Sequence, residues 1–255
     1  MRQSLFSLLL TICPGFSVSA ATLLHSFDLT VSTNDQVGSV NLVSDGGSVL
    51  PGIGYVFAAQ QGLRNAVGDT LLNPTDYTIF LRFKFDAVGS SGYTKLVDLT
   101  NLNGGLLFGG GTSDPGLYVH SQNIQWYNAP FAGTPLINTG VFSDVVITRD
   151  GSTNSFNGYI NGALQFSFID PNGTTTFQNN PNNIVRFFED DNPSGNSESS
   201  SGTAQLIQIF GGALTGAEVA QLPSAVTGVP EPGSIGLIVG GALLLGFARR
   251  SVKIG

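Results

Sequence analysis

The chain has 255 residues, 10 Lys+Arg against 17 Asp+Glu and a formal net charge of −7, a balance that repels nucleic acid and anionic lipid. Its single cysteine, Cys13, lies close to the N-terminus, so disulfides, thiolate zinc sites and cysteine nucleophiles are excluded from the rest of the chain. An apolar share of 41% with 34 glycines suits a folded, turn-rich β-protein rather than a disordered one.

Met1-Arg2 is a minimal basic start, Leu5–Ile12 is a short apolar run, and Val18-Ser19-Ala20 supplies small residues. That order predicts a secretory signal peptide over residues 1–20, cleaved after Ala20. Cys13 falls inside it and lacks the small residues that a lipoprotein cleavage site needs just before the cysteine. Residues 21–222 then form one domain, in which six Lys+Arg face sixteen Asp+Glu.

Strand signals follow in order: Leu24–Leu29, Tyr55–Ala58, Tyr77–Phe85, Lys95–Leu99, Gly116–His120, Ile124–Tyr127, Val145–Thr148, Phe156–Ile160, Ala163–Phe168, Ile184–Phe188 and Ala204–Phe210. The clearest is YTIFLRFKF, which places Tyr77, Ile79, Leu81, Phe83 and Phe85 on one face and Thr78, Arg82 and Lys84 on the other. Asn161-Gly162 between two strands predicts a two-residue hairpin, because both central residues need φ > 0. Helical periodicity is confined to a short segment, Gly216–Leu222, stopped at Pro223. Thr215 and Glu218 there form a capping box, and Leu214 staples against Val219. Many short strands with turn signals predict an all-β antiparallel sandwich.

A linker over residues 223–228 leads to Val229-Pro-Glu-Pro-Gly-Ser, then an apolar run from Ile235 to Ala248, then Arg249-Arg250 and Lys253. As a helix that run would be about 21 Å long, short of the ~30 Å hydrocarbon core. Basic residues after the span favour a cytoplasmic end. A weak span makes physical sense if it is temporary.

Candidate chemistry is sparse. His25 and His120 stand apart without metal-ligand spacing, and no Gly-x-Ser-x-Gly elbow occurs. Gly109-Gly110-Gly111 lacks the Lys-Ser/Thr of a P-loop. No Glu-x-Asp-x-x-Glu strand of the kind used for glycoside hydrolysis is present, so the chain reads as non-enzymatic. The densest carboxylates, Glu189, Asp190 and Asp191 with Glu198, share an Asn/Ser/Gly-rich loop. Hard oxygen ligands on such a loop suit calcium, the one cofactor the sequence suggests; the alternative is a solvated acidic connection. For glycan binding the candidates are Trp126, Tyr127, Tyr118 and Asn128. Trp126 and Tyr127 are adjacent, so in a strand one ring belongs to the core and the other to the opposite face. The core is the preferred place for Trp126.

Two resemblances emerge from these residues. The tail, through Pro230, Glu231, Pro232, Arg249 and Arg250, resembles the PEP-CTERM sorting segment of Gram-negative bacteria. That resemblance implies residues 229–255 as a transient inner-membrane anchor, an exosortase as processing partner, and export to the outer surface or extracellular matrix. The body resembles laminin-G-like, or concanavalin A-like, jelly-roll domains, through Thr148–Gly151, Tyr159–Gly162 and Leu214–Val219 in that order. It departs from them in lacking the Trp that often opens the Thr-Arg strand, where Val145 stands. This resemblance implies a sandwich over residues 21–222 and, in some relatives, calcium at its rim. The function expected is a non-catalytic envelope or matrix module binding exopolysaccharide or another surface glycan. A purely structural or adhesive protein is the alternative, and a glycan-active enzyme a minor one.

Overall fold

The computed structural model describes residues 21–87, 92–103, 115–127, 129, 136–177, 180–191, 195 and 197–222. The expected signal peptide 1–20, Gly109–Gly111, Asn128, residues 223–228 and the expected sorting segment 229–255, with Pro230, Glu231, Pro232, Arg249 and Arg250, lie outside the described residues. Among the described residues no helix is long and apolar enough to cross a membrane.

Alternating sequence produces strands β1 Thr22–Asp28, β2 Leu42–Asp45, β3 Ser48–Leu50, β4 Gly54–Phe57, β5 Gly62–Asn65, β6 Tyr77–Phe85 and β7 Tyr93–Asp98. They continue as β8 Gly116–His120, β9 Asn123–Trp126, β10 Ser143–Asp150, β11 Ser155–Ile160, β12 Ala163–Ile169, β13 Arg186–Phe187 and β14 Gly202–Gly211, followed by one helical turn, α1 Gly216–Val219. The expected sandwich is present: two antiparallel sheets face each other. One has eight strands in the order β12-β11-β10-β6-β14-β4-β3, with β1 also on β14; the other has six, β2-β5-β13-β7-β8-β9.

The five alternate residues of β6 named from sequence all enter the core between the sheets. Phe57, Phe83, Phe85 and Phe188 meet there with ring centroids 4.8–6.2 Å apart. The opposite face of β6 is also apolar at Phe80. It joins Val146, Tyr159, Leu206 and Phe210 under Leu214 and Val219, so α1 closes the back of the eight-stranded sheet. The capping box of Thr215 and Glu218 is formed and the Leu214–Val219 staple lies in that cluster. The helix is shorter than expected, ending at Val219 rather than Leu222.

The Asn161-Gly162 turn has φ of 49° and 80°, as the hairpin requires. Asn161 also accepts a bond at Oδ1 from the Asp144 N–H, at 2.9 Å. Strands β2, β3 and β5, of three or four residues each, were not read from sequence. The run Ile184–Phe188 yields only the two-residue β13, since Asn180 and Asn65 take the backbone N–H groups of Ile184 and Val185.

Candidate binding face

With the back of the eight-stranded sheet closed by α1, the chemistry gathers on the outer face of the six-stranded sheet. Leu63, Phe187, Val97, Leu117 and Trp126 point inward into the core. The strand register aligns their neighbours Arg64, Arg186, Asp98 and Gly116 in a row across β5, β13, β7 and β8. Alternation turns that row outward.

One half of this face is a partly exposed charged array. Arg64 Nε donates to Asp45 Oδ2 at 2.8 Å, and Arg186 Nη1 donates to the same oxygen at 2.9 Å. Arg186 Nη1 also reaches Glu189 Oε2 at 2.6 Å, while its Nε donates to Asn101 Oδ1 at 2.9 Å. Side-chain exposure is 25% for Arg64, 27% for Asp45, 15% for Arg186 and 13% for Glu189. Burial pushes the Glu189 carboxyl above its usual range; Arg186 opposes this, and the charges of Asp45 and Asp98 reinforce it.

The other half is covered. Lys95 is fully buried, with its Nζ 3.4 Å from Asp98 Oδ2, 3.7 Å from Asp191 Oδ2 and 4.0 Å from Asp190 Oδ1. Its ammonium also lies 5.0 Å from the centroid of the Tyr118 ring. Gly116 makes this route: a Cβ there would stand 2.9 Å from the Val97 carbonyl oxygen and 3.3 Å from Lys95 Cε. The Lys95 N–H donates to the Glu198 carbonyl at 2.8 Å, and the Glu198 N–H donates to Asp190 Oδ2 at 2.8 Å. These bonds hold the acidic loop down on the sheet.

The calcium candidates Glu189, Asp190, Asp191 and Glu198 do not gather as a metal-holding group. Asp190 and Asp191 turn to Lys95, Glu189 turns to Arg186, and Glu198 contributes backbone to the loop closure. The positive charge at the centre of the carboxylates is an ammonium of the chain itself, so the donor set does not fit a calcium ion. Among the described residues no group of three or more His, Cys, Asp or Glu is arranged to hold a metal.

The aromatic candidates separate as well. Trp126 is 2% exposed, its ring edge-on to Phe156 at 5.0 Å, so it offers no stacking platform. Tyr118 lies on the outer face but is buried, edge-on to Tyr93 at 5.8 Å. Tyr127 is half-buried at the sheet edge, its N–H on the Gly116 carbonyl at 3.0 Å. Tyr93 and His120, which sequence reading did not select for binding, stack at 3.8 Å with their planes 5° apart and are half-buried on this face. Asp45, Arg64, Asn101 and Arg186 were also not selected. The available signal was a lone arginine inside an apolar run, Ile184-Val185-Arg186-Phe187-Phe188.

The Laminin_G_3 profile of the concanavalin A-like lectin/glucanases superfamily matches residues 60–220. Among solved structures, domain 4 of AbnA, a GH43 extracellular arabinanase from Geobacillus stearothermophilus in complex with arabinotriose, is 17% identical with a TM-score of 0.56. The match covers 80% of this chain and 99% of that domain. Trypanosoma rangeli sialidase is 15% identical with a TM-score of 0.58, over 79% of this chain and 32% of that one. The binding domain of botulinum neurotoxin serotype D is 14% identical with a TM-score of 0.53, over 78% of this chain and 50% of that one. At these identities the likeness is one of fold. No curated protein matches the chain.

Proposed function

The chain belongs to the concanavalin A-like lectin/glucanase superfamily, and from that premise we propose that it is an exported, non-catalytic module that binds an envelope or matrix glycan on the outer face of its six-stranded sheet. The carrying observation is the partly exposed array of Asp45, Arg64, Arg186, Glu189 and Asn101. Carboxylates and guanidiniums already locked to one another present fixed acceptors and donors, and ordering them on binding costs little. Tyr93 and His120 lie on the same sheet face. The arabinotriose complex of the arabinanase domain supports the reading, because that domain matches over nearly its whole length.

Non-catalytic binding is favoured because Asp45 and Glu189 both serve as counterions of Arg186. That arrangement suits hydrogen bonding better than proton transfer. The tail adds the address. Pro230-Glu231-Pro232, a short apolar segment and Arg249-Arg250 support processing by an exosortase after transient anchoring in the inner membrane, followed by release to the outer surface or matrix.

The test is a glycan array and a polysaccharide pull-down with the purified exported protein and its Arg186→Ala variant. Binding by the parent that drops at least about tenfold in the variant, with the far-ultraviolet spectrum unchanged, is the expected result. A parent that captures no glycan leaves the structural or adhesive role in its place.

A further inference from the structure

We infer that the ligand of this face is a neutral glycan, recognised through its hydroxyl groups, and not a uronate- or sialate-bearing polymer; the inference rests on the glycan-binding reading above. Among the described residues the Lys and Arg side chains of this face are Arg64, Arg186 and Lys95, and each already lies within 4.0 Å of carboxylate oxygens. Lys95 is fully buried and does not meet a ligand. Arg64 and Arg186 share Asp45, and Arg186 also holds Glu189, so the exposed half of the array carries two positive and two negative charges. The covered half adds Asp98, Asp190 and Asp191 against one ammonium. The domain around it has six Lys+Arg for sixteen Asp+Glu.

An anionic sugar would have to take Arg186 from Asp45 or Glu189, leaving a half-buried carboxylate without its counterion. It would do so in the field of a negatively charged body. A neutral sugar meets neither cost. Its hydroxyls donate to Asp45 and Glu189 and accept from the guanidinium edges, replacing water while the ion pairs stay closed. The shared-oxygen geometry, in which Arg64 and Arg186 converge on Asp45 Oδ2, leaves Asp45 Oδ1 as an acceptor on the same carboxylate.

Titrate the exported protein with a panel of neutral polysaccharides and with uronate- and sialate-bearing ones, at about 0.05 M and about 0.5 M NaCl. Neutral ligands are expected to bind with little dependence on salt. Anionic ligands should bind at least about tenfold more weakly, and worst at low salt, where repulsion is least screened. Glu189→Gln, which removes one repelling charge, should shift the neutral-to-anionic preference toward the anionic ligands. Tighter binding of an anionic polymer, released by salt, overturns this inference and leaves glycan binding standing. Capture of no glycan at either salt overturns both.

Discussion

Arg186 donates through Nη1 to Glu189 Oε2 across 2.6 Å, a contact that ties β13 to the first residue of the acidic loop beyond Phe188. The same nitrogen holds Asp45 on β2, so one guanidinium joins two strands and a loop. Arg186→Met should therefore cost about 1–3 kcal/mol, the range for charge-assisted bonds with partly buried partners. Arg64→Met, with a single and more exposed ion pair, should cost less than about 1 kcal/mol. Urea unfolding of both variants checks the order; equal losses would mean that Arg186 does not tie the loop down.

Lys95 should prove far more costly to remove. Lys95→Met would leave Asp98, Asp190 and Asp191 buried without their ammonium, and breaking a buried ion pair from one side costs about 3–5 kcal/mol. Adding Asp191→Asn to that variant should recover part of the loss by removing one uncompensated charge. Thermal unfolding of the parent in chelator and in millimolar CaCl₂, with MgCl₂ as control, should superimpose. A calcium-specific rise would show that Lys95 does not satisfy the carboxylates.

Gly162 tests the hairpin. Its φ is 80°, and a Cβ would lie 3.4 Å from Ala220 Cα, just past the end of α1. Gly162→Val places a β-branched residue in left-handed backbone at a cost of about 1–3 kcal/mol. Gly162→Asn should be milder, because asparagine tolerates that region. Melting temperatures that rank parent, Asn and Val in descending order are expected; an unchanged Val variant would contradict the strain.

The frame of this fold was readable because long strands carry their pattern openly. Tyr77–Phe85 alternates over nine residues and the Asn161-Gly162 turn admits one geometry, so strand, face and hairpin followed directly. Thr215 and Glu218 announced the helix start for the same reason, a fixed spacing with a local cause. The candidate binding face was not readable. Its residues come from β2, β5, β13 and the turn at Asn101, and Asp45 and Arg186 are 141 positions apart. Only the register brings them together. The partner of the acidic loop was hidden because sequence shows charge but not counterion: nothing local says that Lys95 on β7 turns toward Asp190 and Asp191. Alternation put either Trp126 or Tyr127 in the core, and the aromatic preference for cores chose Trp126, which is 2% exposed.

The proposed sorting role of the tail gives a prediction independent of the fold. Replacing Pro230, Glu231 and Pro232 with alanine should leave export intact and hold the uncut protein at the inner membrane. Cell fractionation and immunoblotting separate the outcomes. A variant that reaches the surface or the medium at normal size and amount would remove the tail as the sorting signal.

Asp170 gives the clearest dependence on pH. It is 3% exposed, and burial pushes its carboxyl up. Bonds from Thr175 Oγ1 at 2.7 Å, Thr175 N at 2.8 Å, and Thr174 N and Oγ1 at 2.9 Å outweigh that and hold it below the usual 3.8. Thr175 in turn accepts from Arg149 Nε at Oγ1 and from Tyr77 Oη at its carbonyl, so the turn is pinned to β10 and β6. A carboxyl whose folded value lies below its unfolded one releases its proton more readily in the fold. Its stabilisation is present in full above the unfolded value of 3.8 and is lost as pH falls through the lower folded value. Asp35 and Asp150 are also lowered and titrate in the same direction, so the contribution of Asp170 has to be read as a difference. Asp170→Asn should cost about 1–3 kcal/mol near neutrality. The gap between parent and variant should then narrow as the pH drops below about 4. Denaturant unfolding at neutral and acidic pH checks this: a gap that stays constant with pH would show that the hydrogen bonds to Asp170 do not depend on its charge.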